Sequence, residues 1–499
     1  MTQRWQLRPL GLTILALLAL SACRQSAPSP TVLPPPTAFS VTEVVVVTVD
    51  VFFPTGTVTP PTPAPTNSAA SATPEASLPA AATEGSTPTT AASSTPTPLV
   101  EVEGGSFPGR IEGFELVGRA NLGGRGWNAG LALAGSCAYI GNRRLPSIAI
   151  VDISDPAAPR PAGELLLSPG SQPIELRAVA DLNLLIVLNW SSGLSILTFD
   201  VSDCRQPRAL ASLGLGAVPH EFYLWRDPGN PTRLLMFIAM WNYLQPDLRV
   251  VDLSDPAAPV VVGEWNSDFA GAPGTLHSLS VARDGRLAYL ALWGGGFLLA
   301  DTSDFAAGVP DPELRLVRDA YGAFVPLPGL NTHSAVPLAD PRYVLLTQEI
   351  YYCPFAGVVI ADTLEPARPA LAARFDLPEN DPACNALPRP DAVFTSHNPV
   401  VAGDLVFVTW YGGGLQVLGV SDPADPKRVA VYVPSGEGGS ISTYPSAYPV
   451  QLWSYPILHH GLIYVADIQS GLHILRYTGH RAEAIAAVTH LEGNASPPY

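Results

Sequence analysis

From about Ile111 to Thr478 the chain is a succession of short apolar runs broken by Gly, Pro, Asp and Ser. Apolar positions at helical spacing are hard to find, whereas strand-sized pieces recur at near-regular intervals. Within each interval the order is the same. An apolar strand, such as Leu287-Ala-Tyr-Leu-Ala-Leu292 or Leu405-Val-Phe-Val-Thr409, runs into a glycine turn, such as Gly294-Gly-Gly296 or Gly412-Gly-Gly414. The strand after it ends at an aspartate, and a short strand such as Val260-Val-Val-Gly-Glu264 follows. With one further strand upstream of each apolar run, the unit holds about four strands.

The aspartate turn is copied along the chain. Val151-Asp-Ile-Ser-Asp-Pro-Ala-Ala-Pro159 recurs almost unchanged as Val251-Asp-Leu-Ser-Asp-Pro-Ala-Ala-Pro259, and weaker copies begin at Phe199, Ala300, Ala361 and Gly419. Aspartate accepts backbone N–H bonds at the first position of a turn, and proline presets φ at the next. Asp152, Asp200, Asp252, Asp301 and Asp362 stand 48, 52, 49 and 61 residues apart, a spacing that suits propeller blades. Gly471-Leu-His-Ile-Leu-Arg-Tyr477 reads as the third strand of a seventh unit that lacks a fourth. Phe114-Glu-Leu-Val-Gly-Arg119 reads as a fourth strand without a unit. Joined, they satisfy both open edges. The sequence therefore predicts an all-β fold, a seven-bladed β-propeller whose last blade is closed by an N-terminal strand. The repeat resembles the LVIVD-repeat propellers of bacterial and archaeal surface proteins, above all in Ser396-His-Asn-Pro-Val-Val-Ala-Gly-Asp-Leu-Val-Phe-Val-Thr-Trp-Tyr-Gly-Gly-Gly-Leu-Gln-Val-Leu-Gly-Val-Ser-Asp-Pro423. The resemblance spans nearly all of 111–478. It implies a binding or adhesion module and leaves the activity open.

The N-terminal region has a different composition. Arg4 and Arg8 precede the apolar run Leu10 to Leu20, which leads into Leu20-Ser21-Ala22-Cys23. That run is too short to span a bilayer, and small residues before a cysteine mark a processing site. The four residues resemble the bacterial lipobox, which implies a lipidated Cys23 and an extracytoplasmic position at the cell envelope, anchored to a membrane. Residues 24–109 are dense in Pro, Thr, Ser and Ala. They cannot bury enough apolar area to offset ordering entropy, so a disordered stalk is expected. Within it, Val41 to Phe53 is rich in Val and reads as a β-prone strand, either paired with another segment or an extended apolar patch of the stalk. The expected organisation is a signal over 1–23, the stalk over 24–109, the propeller over 110–480 and a C-terminal tail over 481–499. A net charge of −16 argues against nucleic acid as a partner. Lysine occurs once, at Lys427, and GxSxG, HExxH and paired CxxC patterns are missing. P-loop and Schiff-base chemistry thus have almost no candidate.

Candidate chemistry gathers where the blades align. His220, His277, His333 and His397 each stand at the start of an innermost strand, which in a propeller faces the mouth of the central channel. Imidazole is the commonest metal ligand and titrates near neutrality. Second strands end on the same face and bring Trp190, Trp241, Trp293, Glu349, Trp410, Tyr411 and Asp467, with Arg177 and Asn242 close by. Aromatic surface with a few placed polar groups is what a binding site requires. Two functions follow from this face. One is a non-catalytic binding or scaffold module for a protein, glycan or small molecule. The other is a metal-dependent oxidoreductase or hydrolase that uses His277, His333 and His397. A repeated histidine can equally fill a channel and bond to backbone, and no motif specifies a cofactor. His459, His460, His473, His480 and His490 are accounted for as surface residues. Four cysteines remain after Cys23. Cys353–Cys384 and Cys137–Cys204 are the expected pairs, each lying toward one face in an oxidising compartment.

Overall fold

The computed structural model describes residues 107–240, 246–380, 392–436, 438 and 450–495. The expected signal, Cys23, the stalk up to residue 106, Val41 to Phe53, Trp241, Asn242 and Cys384 lie outside them.

The apolar runs are nearly continuous because both faces of each sheet are covered. Every residue of the strand Leu184–Asn189 is buried. Leu184, Ile186 and Leu188 pack with Phe222 and Met236 on one side, and Leu185 and Val187 with Tyr139 and Ile150 on the other. The outer strand of the same sheet, Arg208–Leu213, is mostly exposed.

Seven antiparallel sheets result. Blades one to six begin with the inner strands Asn128–Ala134, Pro173–Val179, Pro219–Arg226, Thr275–Val281, Thr332–Pro337 and Pro399–Ala402. Blade seven is built from Ile457–His459, Leu462–Asp467 and Gly471–Tyr477, and its outer strand is Phe114–Ala120, antiparallel to Gly471–Tyr477. Blade seven shares an apolar cluster with blade one through Leu131, Ile140, Tyr464 and Ile474, so the ring closes. Each aspartate turn forms as its sequence requires. Asp152, Asp200, Asp252, Asp301 and Asp362 accept the backbone N–H two residues on, at 2.8–3.0 Å. Cys137 and Cys204 form a disulfide with Cα atoms 5.8 Å apart, joining blade one to blade two. Among the described residues no helix is long and apolar enough to cross a membrane.

Both ends of the chain depart from the expected boundaries. The strand Phe107–Glu112 begins inside the expected stalk and adds a fifth strand to blade six. Its partner, Lys427–Gly436, is ten residues long, and so long an open edge favours a covering strand. Residues 482–495, expected as a tail beyond the ring, return into it. The inner strand of blade seven has only three residues, and His490–Glu492 pairs along its channel-facing edge. The chain then crosses the channel, where the Asn494 carbonyl accepts from the Leu224 N–H at 2.9 Å. His473 is not a surface residue. It is buried between the Tyr432 hydroxyl at 2.7 Å and the Ser470 hydroxyl at 2.9 Å.

Gly118 lies at an irregularity in the closing strand, where an added Cβ would come 2.2 Å from the Pro156 carbonyl oxygen of blade one. Gly118→Ala should cost about 1–3 kcal/mol in urea unfolding; an unchanged midpoint would place this strand elsewhere. Burial pushes the Glu492 carboxyl up to about 7 from an ordinary 4.5, with Arg177 opposing. A carboxyl raised on folding contributes its full stability below its unfolded pKa and loses it as pH climbs to the folded value. Wild-type stability should fall between those two values, and Glu492→Gln should remove that fall. Identical pH profiles would mean that Glu492 is solvated.

Candidate metal centre

The innermost strands are irregular where the histidines stand. The pairing register shifts between Pro219 and Glu221, between Leu276 and Ser278, and between Thr332 and Ser334. His220, His277 and His333 are therefore the extra residues of β-bulges, which turn a side chain out of the regular alternation. His397 stands just before the inner strand of blade six. In blade two the same position is taken by Ile174, between Pro173 and Glu175.

Four consecutive blades thus send imidazoles to one arc. Ring centroids are 4.3 Å apart from His220 to His277, 4.3 Å from His277 to His333 and 3.8 Å from His333 to His397. His277, His333 and His397 are buried. The His277 Nδ1 faces the His333 carbonyl oxygen at 3.2 Å, and the His397 Nδ1 faces the Trp453 carbonyl oxygen at 2.6 Å. A carbonyl only accepts, so both rings carry their proton on Nδ1 and turn a bare Nε2 inward. The His220 Nε2 is 2.7 Å from the His277 Nε2, and His220 must be the donor there.

Three carboxylates interleave with the arc. Glu221 lies 3.2 Å from the His333 Nε2. Glu349 lies 3.5 Å from the His397 Nε2 and 3.9 Å from the His277 Nε2. Ligand atoms of Glu221, His333 and His397, and those of His277, His333 and Glu349, fall within 4.8 Å of one another. Tyr351 donates to Glu349 at 2.5 Å, and Tyr411 donates to the same oxygen. Glu175 stands beside Arg177, 3.8 Å away. The second oxygens of Glu175 and Glu221 are buried and accept no hydrogen bond among the described residues. Buried carboxylate oxygens without donors are costly.

The electrostatics divide the imidazoles. Burial lowers the pKa of His277 and His397 well below the ordinary value, and holds His220 at about 3. Burial lowers His333 as well, but the charge and hydrogen bond of Glu221, with Glu349 and Glu175, outweigh it and raise His333. Burial also pushes Glu175 up to about 8, against the pull of Arg177. The cluster thus holds three neutral imidazoles and one that competes for a proton.

The cavity is about 80 Å³ and is walled by Arg143, Ile174, Trp190, Tyr351 and Trp453 beside the arc. Trp293 stacks on His277 with ring centroids 4.9 Å apart, and Tyr411 lies 4.9 Å from His397. Trp190 is 6.0 Å from His220. Trp410, expected on this face, packs instead between blades five and six. There its indole N–H donates to the Phe394 carbonyl, because Trp410 and Tyr411 point in opposite directions. Asp467 caps its own turn through Gln469 and Ser470.

A family model described as the LVIVD repeat matches residues 126–165 and 236–267. The chain carries LVIVD repeats. The matched stretches correspond to blade one and to most of blade three, so this LVIVD-repeat propeller continues well beyond its recognisable copies. No curated protein matches its sequence. Its fold is similar to hydrazine synthase of Kuenenia stuttgartiensis, at 14% identity over 70% of this chain and 95% of that one, with a TM-score of 0.47. It is also similar to the periplasmic gluconolactonase of Pseudomonas aeruginosa, at 17% identity over 74% and 96%, with a TM-score of 0.47.

Sequence reading of the LVIVD propeller missed Glu175, Glu221, Arg143 and Trp453. Glu221 directly follows a singled-out histidine, and Glu175 holds the matching place in blade two, so blade alignment carried that signal. Arg143 and Trp453 lie on loops, where the repeat carries none. Glu221→Gln keeps the shape beside His333 and removes the charge. The His333 imidazole titration, followed by NMR, should move down, because the charge and hydrogen bond that raise it are gone; an unmoved midpoint would mean that Glu221 does not set the charge of His333.

Proposed function

We propose that the channel mouth holds a late first-row divalent transition-metal ion and that the propeller is a metal-dependent enzyme for a small substrate, an oxidoreductase or hydrolase. The observation that carries this reading is the convergence of bare Nε2 atoms on His277 and His397 with His333 and two carboxylates. Imidazole suits zinc, copper, iron and nickel, whereas an oxygen-rich site would suit magnesium or calcium. Two nitrogens on one tetrahedral ion stand about 3.4 Å apart at a Zn–N distance of about 2.1 Å. His220 and His277 need therefore separate by less than about 1 Å. His333 would give up its proton as the ion binds, and Glu221 and Glu349 would balance the ion's charge. A cavity this small suits a water molecule or a ligand of few atoms. Arg143 at its rim supplies hydrogen-bond donors.

The exposed aromatic residues near the mouth favour a second reading. Tyr351 is 39% and Tyr352 64% exposed, so the same face offers a surface for a protein or glycan. In either case, the lipobox-like Leu20-Ser21-Ala22-Cys23 supports a place at the cell envelope, tethered by lipid at Cys23.

Metal analysis of the purified protein separates the readings. His277→Ala combined with His333→Ala should remove one ion per chain while the circular-dichroism spectrum is kept, and Trp293→Ala should leave that ion bound. A chain that holds no copper, zinc, iron or nickel at the arc, and loses partner capture with Trp293→Ala, would overturn the metal reading in favour of the binding module.

A further inference from the structure

A second cavity lies at the end of the channel away from the arc. The histidines of the arc stand where the inner strands begin, whereas Leu133, Val179 and Leu224, which wall this cavity, stand toward their far ends. The cavity is about 360 Å³, within the range of small-molecule sites. Its polar side is built largely by the returning C-terminal segment. His490 and Glu492 are two residues apart in one strand and so share a face, and His459 stands directly opposite His490. All three residues line the cavity. The Nδ1 atoms of His459 and His490 are 3.1 Å apart, so one ring donates to the other and keeps a bare Nε2.

The charges around this cavity do not cancel. Arg226 and Asp181, both in the wall, are bonded to each other at 3.0 Å. Burial holds His459 and His490 at about 4, so both rings are neutral near pH 7. Glu492 remains. Its Oε2 is buried and accepts no hydrogen bond among the described residues. The Arg177 charge acts on it, but Arg177 also faces Glu175 at 3.8 Å, so two carboxylates share one guanidinium. Burial raises both carboxyls, Glu175 to about 8 and Glu492 to about 7: a proton stands in for a second cation. Uncompensated charge beside apolar walls is costly, and a net charge of −16 draws cations toward the protein. We propose that this cavity binds a small organic ammonium ion, its apolar body against Leu133, Val179 and Leu234 and its N–H groups donating to Glu492 and the bare imidazole nitrogen. A hydrated metal ion would leave the apolar walls unused, and a neutral molecule would leave the second carboxylate unbalanced.

The test is calorimetric titration of the full chain at pH 8, with benzylamine and with benzyl alcohol as its neutral counterpart. One benzylamine should bind per chain, about tenfold or more tighter than the alcohol. Glu492→Gln should abolish that preference while the circular-dichroism spectrum is kept. His277→Ala combined with His333→Ala should bind benzylamine as the wild type does, so this site stands or falls apart from the metal reading above. In wild-type protein, benzylamine should shift the imidazole NMR signals of His459 and His490 and leave those of His333 and His397 in place, a readout that needs no variant to fold. Equal affinity for the two probes, amine binding unchanged in Glu492→Gln, or unmoved His459 and His490 signals would overturn the proposal.

Discussion

The structure depends on sheets that are apolar on both faces. A sheet with one apolar face can stop at a sandwich, but one with two needs a neighbour on each side, and the only finite solution is a ring. Tyr139 and Ile150 of blade one contact blade two, while Leu131 and Ile140 of the same blade contact blade seven. The period-two alternation of a strand, which usually divides core from solvent, here divides one neighbour from the next. Polar residues are consequently pushed to the outer strands, the turns and the channel.

The channel is where the repeated architecture becomes specific. A regular inner strand would present successive side chains to the adjoining blades. The bulges at His220, His277 and His333 break that rule by one residue each, and the rings they release meet on one side of the axis. Burying imidazoles and carboxylates together is unfavourable unless each finds a partner, and several partners come from another blade. Glu221 of blade three reaches His333 of blade five, and Tyr411 of blade six reaches Glu349, which follows the second strand of blade five. The cluster is therefore a property of the assembled ring, with no single blade able to form it.

Fold and site differed in how far they could be read from the residues. Blade number and closure were legible because the aspartate turn is local chemistry repeated at a measurable spacing, and because Phe114 to Arg119 was a strand without a partner. The return of residues 482–495 was not legible. His490–Glu492 carries no repeat signature, and its place follows from the shortness of Ile457–His459, which only the folded ring exposes. Alignment also gathered the four histidines on one face, but not the distances between them. Trp410 was misjudged for a related reason: adjacent Trp and Tyr at the end of a strand look alike in sequence, and the direction of each is set by the blade behind it. The Cys137–Cys204 bridge could be inferred from which face each residue approached, whereas Cys384 lies outside the described residues.

The carbonyl that orients His397 belongs to Trp453, at the entrance to blade seven, and blade seven is complete only with the strand Phe114–Ala120. The angle of that imidazole is thus linked to the chain's own N-terminal seam, far away in sequence. Slippage at the seam would be transmitted as a tilt of one ring in the cluster, even with every ligand residue still present. The propeller is in this sense a mechanical gauge, in which the fit of its last sector adjusts the aim of a side chain at its hub.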